Sequence, residues 1–280
     1  MNIGEIARRA GVSRSTVSYA LSGKRPVTEE TRRRIQAVID ELDFRPNAAA
    51  RALKEGRTRT IGLVIPPASL RLTDMQLGFV ASVVEAAARA DLDVLLSPSG
   101  GDHERSFERI ISGRRVDGVI LMEIRLEDER VNRLQQVALP FVTIGHTANP
   151  HGTCWVDIDY GTLIARCVHH LADLGHRDIA LINRSPELVA AGYGPAQRAL
   201  ERAGVSVPRD FSLAGVAARH WAEDFRPPLT AADVPAVEMG GHAVDLLLER
   251  IAAPDAPLRH LLLTPPISLR ASTGPVPPAG

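Results

Sequence analysis

Cysteine is nearly absent, with only Cys154 and Cys167 in 280 residues. Their spacing fits no metal-ligand pattern and two thiols make no disulfide framework, as expected of a chain kept in a reducing cytoplasm. There is no run of about 18 apolar residues, the length a membrane-spanning helix needs. The N-terminus, MNIGEIARRAG, is polar and helix-patterned where a secretory leader would be apolar. A Walker A loop and a G-x-S-x-G elbow are both missing. These absences predict a cytoplasmic protein with no membrane association, no cofactor, no metal and no catalytic residues.

Net charge is also lacking, but only in the sum. Residues 1–60 hold 13 Lys+Arg against 7 Asp+Glu, which leaves 20 against 26 for the rest. A basic head on an acidic body suits a polyanionic partner for the head alone. With 45% hydrophobic and 24% charged residues, the chain can bury a sizeable core in more than one domain.

The stretch Gly192-Tyr193-Gly194-Pro195-Ala196-Gln197 half-spells the glycine-rich turn of a dinucleotide site. Gln197 stands where the third glycine belongs, and Pro195 suits the first turn of a helix, so the stretch reads as a joint. Cys167, His169 and His170 share one predicted helix, where adjacent histidines diverge and make a poor metal site. His176 in LGHRDI fits a helix-to-strand turn.

In the head, Ile3, Ile6, Ala7 and Ala10 recur at helical spacing, Gly11 breaks the helix, and Ser13 caps a second short helix, RSTVSYAL. Val17 and Leu21 are expected inside, with Arg14, Ser15, Ser18 and Tyr19 outward. A merely solvated face favours Glu, Lys and Gln. Small hydroxyls beside one Arg and one Tyr instead suit close approach to phosphates and base edges. Thr28 caps a third helix whose Ile35, Val38, Ile39 and Leu42 make one apolar stripe. Three helices close a small core and present the second outward.

The stretch NIGEIARRAGVSRSTVSYALSGKRPVTEETRRRIQAVIDELDFRPNAAARALKEGRTRTIGLVI resembles the N-terminal region of the LacI/GalR family of bacterial transcription regulators. The resemblance implies a helix-turn-helix DNA-binding domain at 1–46, a hinge helix and linker at 47–59, an effector-binding and dimerisation domain at 60–272 and a flexible tail at 273–280. Carried over, Arg14, Ser15 and Tyr19 would read base edges in the major groove, while Ser13, Thr16 and Ser18 would anchor on phosphates. At position 19 family members commonly carry a basic residue. In AAARALK, Asn47 would cap the hinge helix, Ala50 would allow two hinges to approach closely, and Leu53 would lever the minor groove open. The bland alternative is a linker whose Leu53 packs on the body.

From Thr60 onward, apolar runs alternate with amphipathic helices: IGLVI, a helix at 74–89, DVLLS, a helix at 103–112, DGVILM, a helix at 128–137 and FVTIG. This pattern predicts a doubly wound parallel sheet, the first lobe at about 60–150. A second lobe at about 151–272 is expected from CWVDID, a helix at 161–174, DIALI, FSLAGV, a helix at 237–251 and the tail LLLTPPISLRAST. The fold class is therefore an all-α head plus an α/β body of two lobes like those of periplasmic binding proteins. Family members hold a small effector between such lobes. Against their pattern, only about a dozen residues separate DIALI from PAQRALERAG. Nearly two βαβ units, on the order of 50 residues, are absent.

Farther along, Val216-Ala217-Ala218 stands where family members commonly place an aromatic and two aspartates that help hold the effector. Arg71, Thr73, Glu123 and His146 remain as candidate effector contacts. The family implies a homodimer on a double-stranded, pseudopalindromic DNA operator, acting as a repressor and modulated by a small sugar-like effector, with the helix after Asp74 a dimer face. The alternative is a constitutive or degenerate DNA-binding regulator whose shortened sensor binds no effector.

Overall fold

The computed structural model describes residues 3–22, 25–42, 52, 56–65, 74–98, 104–180, 207–217 and 219–276. It forms two compact units, Met1–Thr58 and Arg59–Gly280. Among the described residues no helix is long and apolar enough to cross a membrane.

The first unit holds α1 (Ile3–Arg9), α2 (Arg14–Ser22) and α3 (Glu29–Glu41). Ile6, Ala7, Ala10, Val17, Ile35, Val38 and Ile39 are buried together, so one apolar stripe from each helix closes the core. Thr28 caps α3 by accepting from the Thr31 amide, and Glu29 and Glu30 sit in its first turn, where the helix dipole favours acids. Two expectations need correction. Leu21 and Ile3 are each 38% exposed, and Ala20 packs on the core in place of Leu21. On a nine-residue helix the inward line from Val17 continues at i+3 instead of i+4.

The second unit begins with β1 (Thr60–Ile65), α4 (Asp74–Arg89), β2 (Asp93–Pro98), α5 (Glu104–Ser112), β3 (Gly118–Leu121), α6 (Glu129–Gln136) and β4 (Phe141–Ile144). It continues with β5 (Cys154–Ile158), α7 (Tyr160–Asp173), β6 (Ala214–Ala217), α8 (Arg219–Asp224), β7 (Thr230–Asp233), α9 (Ala236–Ala252), β8 (His260–Leu263) and β9 (Ile267–Ser268). The first four strands and three helices lie where the alternation predicts them. Asp128 caps α6 by accepting from the Arg130 amide, which fixes where that helix starts.

The main sheet has six strands in the order β2-β1-β3-β4-β5-β8, all parallel. Strand side chains alternate between its faces. Ile61, Leu63, Ile120, Val142 and Val156 meet α4 and α9, while Val64, Val119 and Leu121 meet Phe107, Ile110, Val131 and Leu134 of α5 and α6. Both faces are covered, so the strands read as continuous apolar runs.

Not all of the 151–272 stretch belongs to the second lobe. Strands β5 and β8 extend the first sheet, and α9 packs through Met239, Ala243, Val244 and Leu247 on the first sheet's core. The alternation of strand and helix reveals that a strand exists but leaves its neighbour open, and here the chain leaves the first sheet and returns to it. The second sheet among the described residues is β6-β7-β9, with β6 and β7 parallel and β9 antiparallel. In DIALI, Asp178–Ala180 are exposed and form no strand; the remainder, and the predicted helix at PAQRALERAG, lie outside the described residues.

The contact between α4 and α9 is unusually close. A Cβ on Gly240 would stand 1.8 Å from Ser82 Oγ and 3.0 Å from the Val83 backbone nitrogen. Ser82 Oγ is 2.9 Å from the carbonyl oxygens of Phe79 and Ala236, so one hydroxyl bridges the two helices. Gly240→Ala is expected to push the helices apart and lower stability by about 1–3 kcal/mol, the usual effect of overpacking, measured by thermal or urea denaturation of the whole chain.

Candidate nucleic-acid interface

The turn between α1 and α2 is set by hydrogen bonds before any side chain is considered. Gly11 takes a positive φ of 63°, which an L side chain resists, and Val12 N donates to Ala7 O at 3.0 Å, closing the end of α1. Ser13 Oγ then accepts from Thr16 N at 3.0 Å and lies 2.7 and 2.8 Å from the hydroxyls of Ser15 and Thr16. The predicted cap is therefore formed, and it gathers three hydroxyls at the start of α2. The N-terminus of a helix carries positive potential and unpaired N–H groups, which suit a phosphate.

Ser13, Arg14 and Ser15 are exposed, and Thr16, Ser18 and Tyr19 are half-buried. The Arg14 guanidinium rests against the bare backbone of Gly4, where a Cβ would come within 2.8 Å of it, so α1 supports the side chain without occupying its fork. The Arg25 guanidinium carbon lies 5.3 Å from the centre of the Tyr19 ring. Sequence reasoning missed this contact, because the spacing of 19 and 25 spans a turn between helices. Glu5 is taken up by Arg8 at 2.6 Å and Arg9 at 3.1 Å, and Arg9 also reaches Glu41 at 2.9 Å. The hydrogen bonds from Arg8 and Arg9 hold the Glu5 carboxyl below its ordinary range. Thus α1's arginines are turned to ion pairing, and Arg14 on α2 has no such carboxylate partner among the described residues.

Asn47, Ala50 and Leu53 lie outside the described residues. Ala52 between them is helical, and its carbonyl accepts from Gly56 N at 2.8 Å.

The candidate effector residues have mixed fates. Arg71 and Thr73 lie outside the described residues. Glu123 follows β3 with φ of 52°; its carboxylate accepts from Gln76 Nε2 and its carbonyl from Arg130 Nη2 at 2.8 Å. His146 follows β4, its Nδ1 2.9 Å from Thr147 O and its Nε2 3.7 Å from Asp157 Oδ2. Its ring tilts against Trp155 at 5.1 Å, and Trp155 stacks on His260 at 4.9 Å. Burial raises the Asp157 carboxyl above its ordinary range, against the opposing effect of the Ile158 amide and His146. Gly145 approaches Ile124, so the loops carrying Glu123 and His146 run side by side at the ends of adjacent strands. Both side chains are already engaged by their own unit.

Beside this region, a pocket of about 320 Å³ is lined by Leu126, Val131, Asn132, Gln135, Ala148 and Thr153, among others. The other residues weighed for chemistry have structural partners. Cys154 and Cys167 are buried free thiols, His170 Nε2 is 3.0 Å from Thr273 Oγ1, and His176 Nε2 is 3.1 Å from Gly274 O. His176 thus sits at the helix-end turn that its sequence context predicts.

Residues 2–47 match the family described as bacterial regulatory proteins, lacI family, and residues 195–273 match a periplasmic binding protein-like domain. The chain is 36% identical over 186 residues to the HTH-type transcriptional regulator AglR of Rhizobium meliloti, covering 65% of this chain and 52% of that protein. RafR of Escherichia coli is 31% identical, with 56% of its length matched, so these matches span about half of each relative. The HTH-type transcriptional repressor PurR of Vibrio campbellii is 28% identical over 330 positions, 96% of this chain and 97% of that one. Because 330 positions are aligned to a chain of 280 residues, gaps of at least 50 positions must open in this chain. Among solved structures, a CelR–cellobiose complex superimposes with a TM-score of 0.68 at 25% identity, covering 97% of this chain and 99% of that one. The lac repressor dimer bound to operator and an anti-inducer superimposes at 0.80 with 19% identity, covering 98% and 99%. At its head the chain is thus similar to bacterial regulatory proteins of the lacI family, and over residues 195–273 to periplasmic binding protein-like domains.

Proposed function

We propose that the protein is a sequence-specific DNA-binding transcriptional regulator, acting as a repressor and binding a pseudopalindromic operator as a homodimer. The observation that carries this reading is the outward face of α2: a capped helix start with three hydroxyls at Ser13, Ser15 and Thr16, followed by an Arg14 fork with no carboxylate partner among the described residues. Hydroxyls and helix-terminal amides suit phosphates, and a planar fork suits guanine O6 and N7 together. The relatives named as repressors and regulators support the same reading.

Dimerisation is supported by an apolar face near one edge of the main sheet. Leu77 and Val84, seven residues apart on α4, are 49% and 44% exposed, and Leu96 on the edge strand β2 is 47% exposed. Large apolar side chains at that spacing suit an isologous contact with a second copy. In such a dimer the hinges would pair, with Leu53 from each copy levering the minor groove.

The response to effector is proposed to be weak, altered or lost. Glu123 and His146 are committed to Gln76 and to Trp155 with Asp157, and Val216-Ala217 offers no polar side chain. The protein named with cellobiose in its complex makes a sugar the natural probe. Calorimetric titration of the purified chain with mono- and disaccharides is expected to give no tight, saturable heat. A sugar-specific isotherm would overturn this part of the reading.

Two substitutions test the DNA contact. Arg14→Ala should cost about 1–3 kcal/mol of operator affinity and relax preference at one base pair; equal loss on every sequence in a binding-site selection would contradict base readout. Leu53→Ala should weaken operator binding and reduce DNA bending while leaving half-site preference intact. Unchanged bending in a gel-shift phasing assay would remove the lever.

A further inference from the structure

We infer that Arg25 and Tyr19 form a single reading unit, in which Arg25 positions the Tyr19 phenol and the pair together selects one base pair of the operator. The inference rests on the DNA-binding reading above and assigns a role to a residue that the helix-turn-helix pattern leaves out. Tyr19 lies one helical turn beyond Ser15 on the outward side of α2, so its ring belongs to the face that would meet the groove. An unbraced tyrosine on an exposed helix face can swing about χ1, and a reading contact made from it would lose entropy on binding. The Arg25 guanidinium, 5.3 Å from the ring centre, restricts that swing by attraction to the face of the ring.

The brace comes from a fixed point of the backbone. Arg25 precedes Pro26, which biases its backbone toward extended conformations, and Thr28 two residues farther on is pinned as the cap of α3. The side chain therefore leaves from a defined position beside the end of α2. The contact also supplies charge. The guanidinium over the Tyr19 ring brings a cation to the outward face of α2 from a different element. A guanidinium attracted to the face of a ring can still offer N–H donors, and the phenol hydroxyl can donate or accept one hydrogen bond.

The test is a binding-site selection, followed by affinity measurements on an operator panel with each base pair changed in turn. It uses the full chain as wild type, Tyr19→Ala, Arg25→Ala, Arg25→Lys and the double Tyr19→Ala/Arg25→Ala. Arg25→Ala is expected to relax preference at the base pair that Tyr19→Ala relaxes. Affinity for the wild-type site should fall about two- to five-fold, the range of an exposed cation–π contact, with the double variant falling less than the product of the singles. Arg25→Lys, which keeps a cation over the ring, should preserve the base preference. If Arg25→Ala weakens all sequences alike and the Tyr19 base pair is still selected, Arg25 is a phosphate contact only and the inference is overturned. Additive singles overturn it equally. If the wild-type chain enriches no site at all, the DNA-binding reading itself falls and takes this one with it. Arg25→Gln replaces Arg25→Ala should the latter melt early, with the same outcomes.

Discussion

The structure of the body depends on the chain returning to the sheet it began. Strand β8 pairs with β5 at one edge of the main sheet, and α9 lies on α4 so closely that a glycine and one bridging serine hydroxyl are needed at the crossing. These contacts pin both ends of the excursion that forms the second sheet. A segment held at both ends can shorten without disturbing what holds it, provided the remaining connection spans the gap. That explains how a chain of 280 residues keeps the main sheet and its two helical layers while relatives align over 330 positions. The cost falls on the excursion, where the described sheet has three short strands and Asp178–Ala180 pair with none.

Legibility in the sequence followed how local the determining physics is. Caps at Ser13 and Thr28 are set by side chains reaching backbone amides three residues away, and both form as the residue types predict. Helix α4 was legible because its pattern is long and periodic. What the sequence could not reveal was non-local. Nothing in CWVDI distinguishes a strand that opens a new sheet from one that extends the old, since a buried parallel strand is apolar on both faces in either case. The antiparallel β9 and the small helix α8 were likewise hidden in short, weakly patterned stretches.

The candidate sites divide in the same way. The outward face of α2 follows from helix geometry and was legible through Tyr19, whereas the contact of Arg25 with Tyr19 crosses a turn and became visible only in three dimensions. Glu123 and His146 were placed correctly at the ends of neighbouring strands, but residue type alone could not reveal that Gln76 and Trp155 already occupy them. On α2 the candidate contacts line one outward helix face, whereas in the body Glu123 and His146 are taken up by side chains of their own unit.

The most direct measurement is selection of double-stranded DNA from a random pool by the purified, full-length wild-type chain, with the stoichiometry of the selected complex determined in the same preparation. Enrichment of a pseudopalindromic site with two half-sites, bound by two copies of the chain, is the predicted result. Recovery of DNA with no common sequence, or of a single asymmetric site bound by one copy, would contradict it.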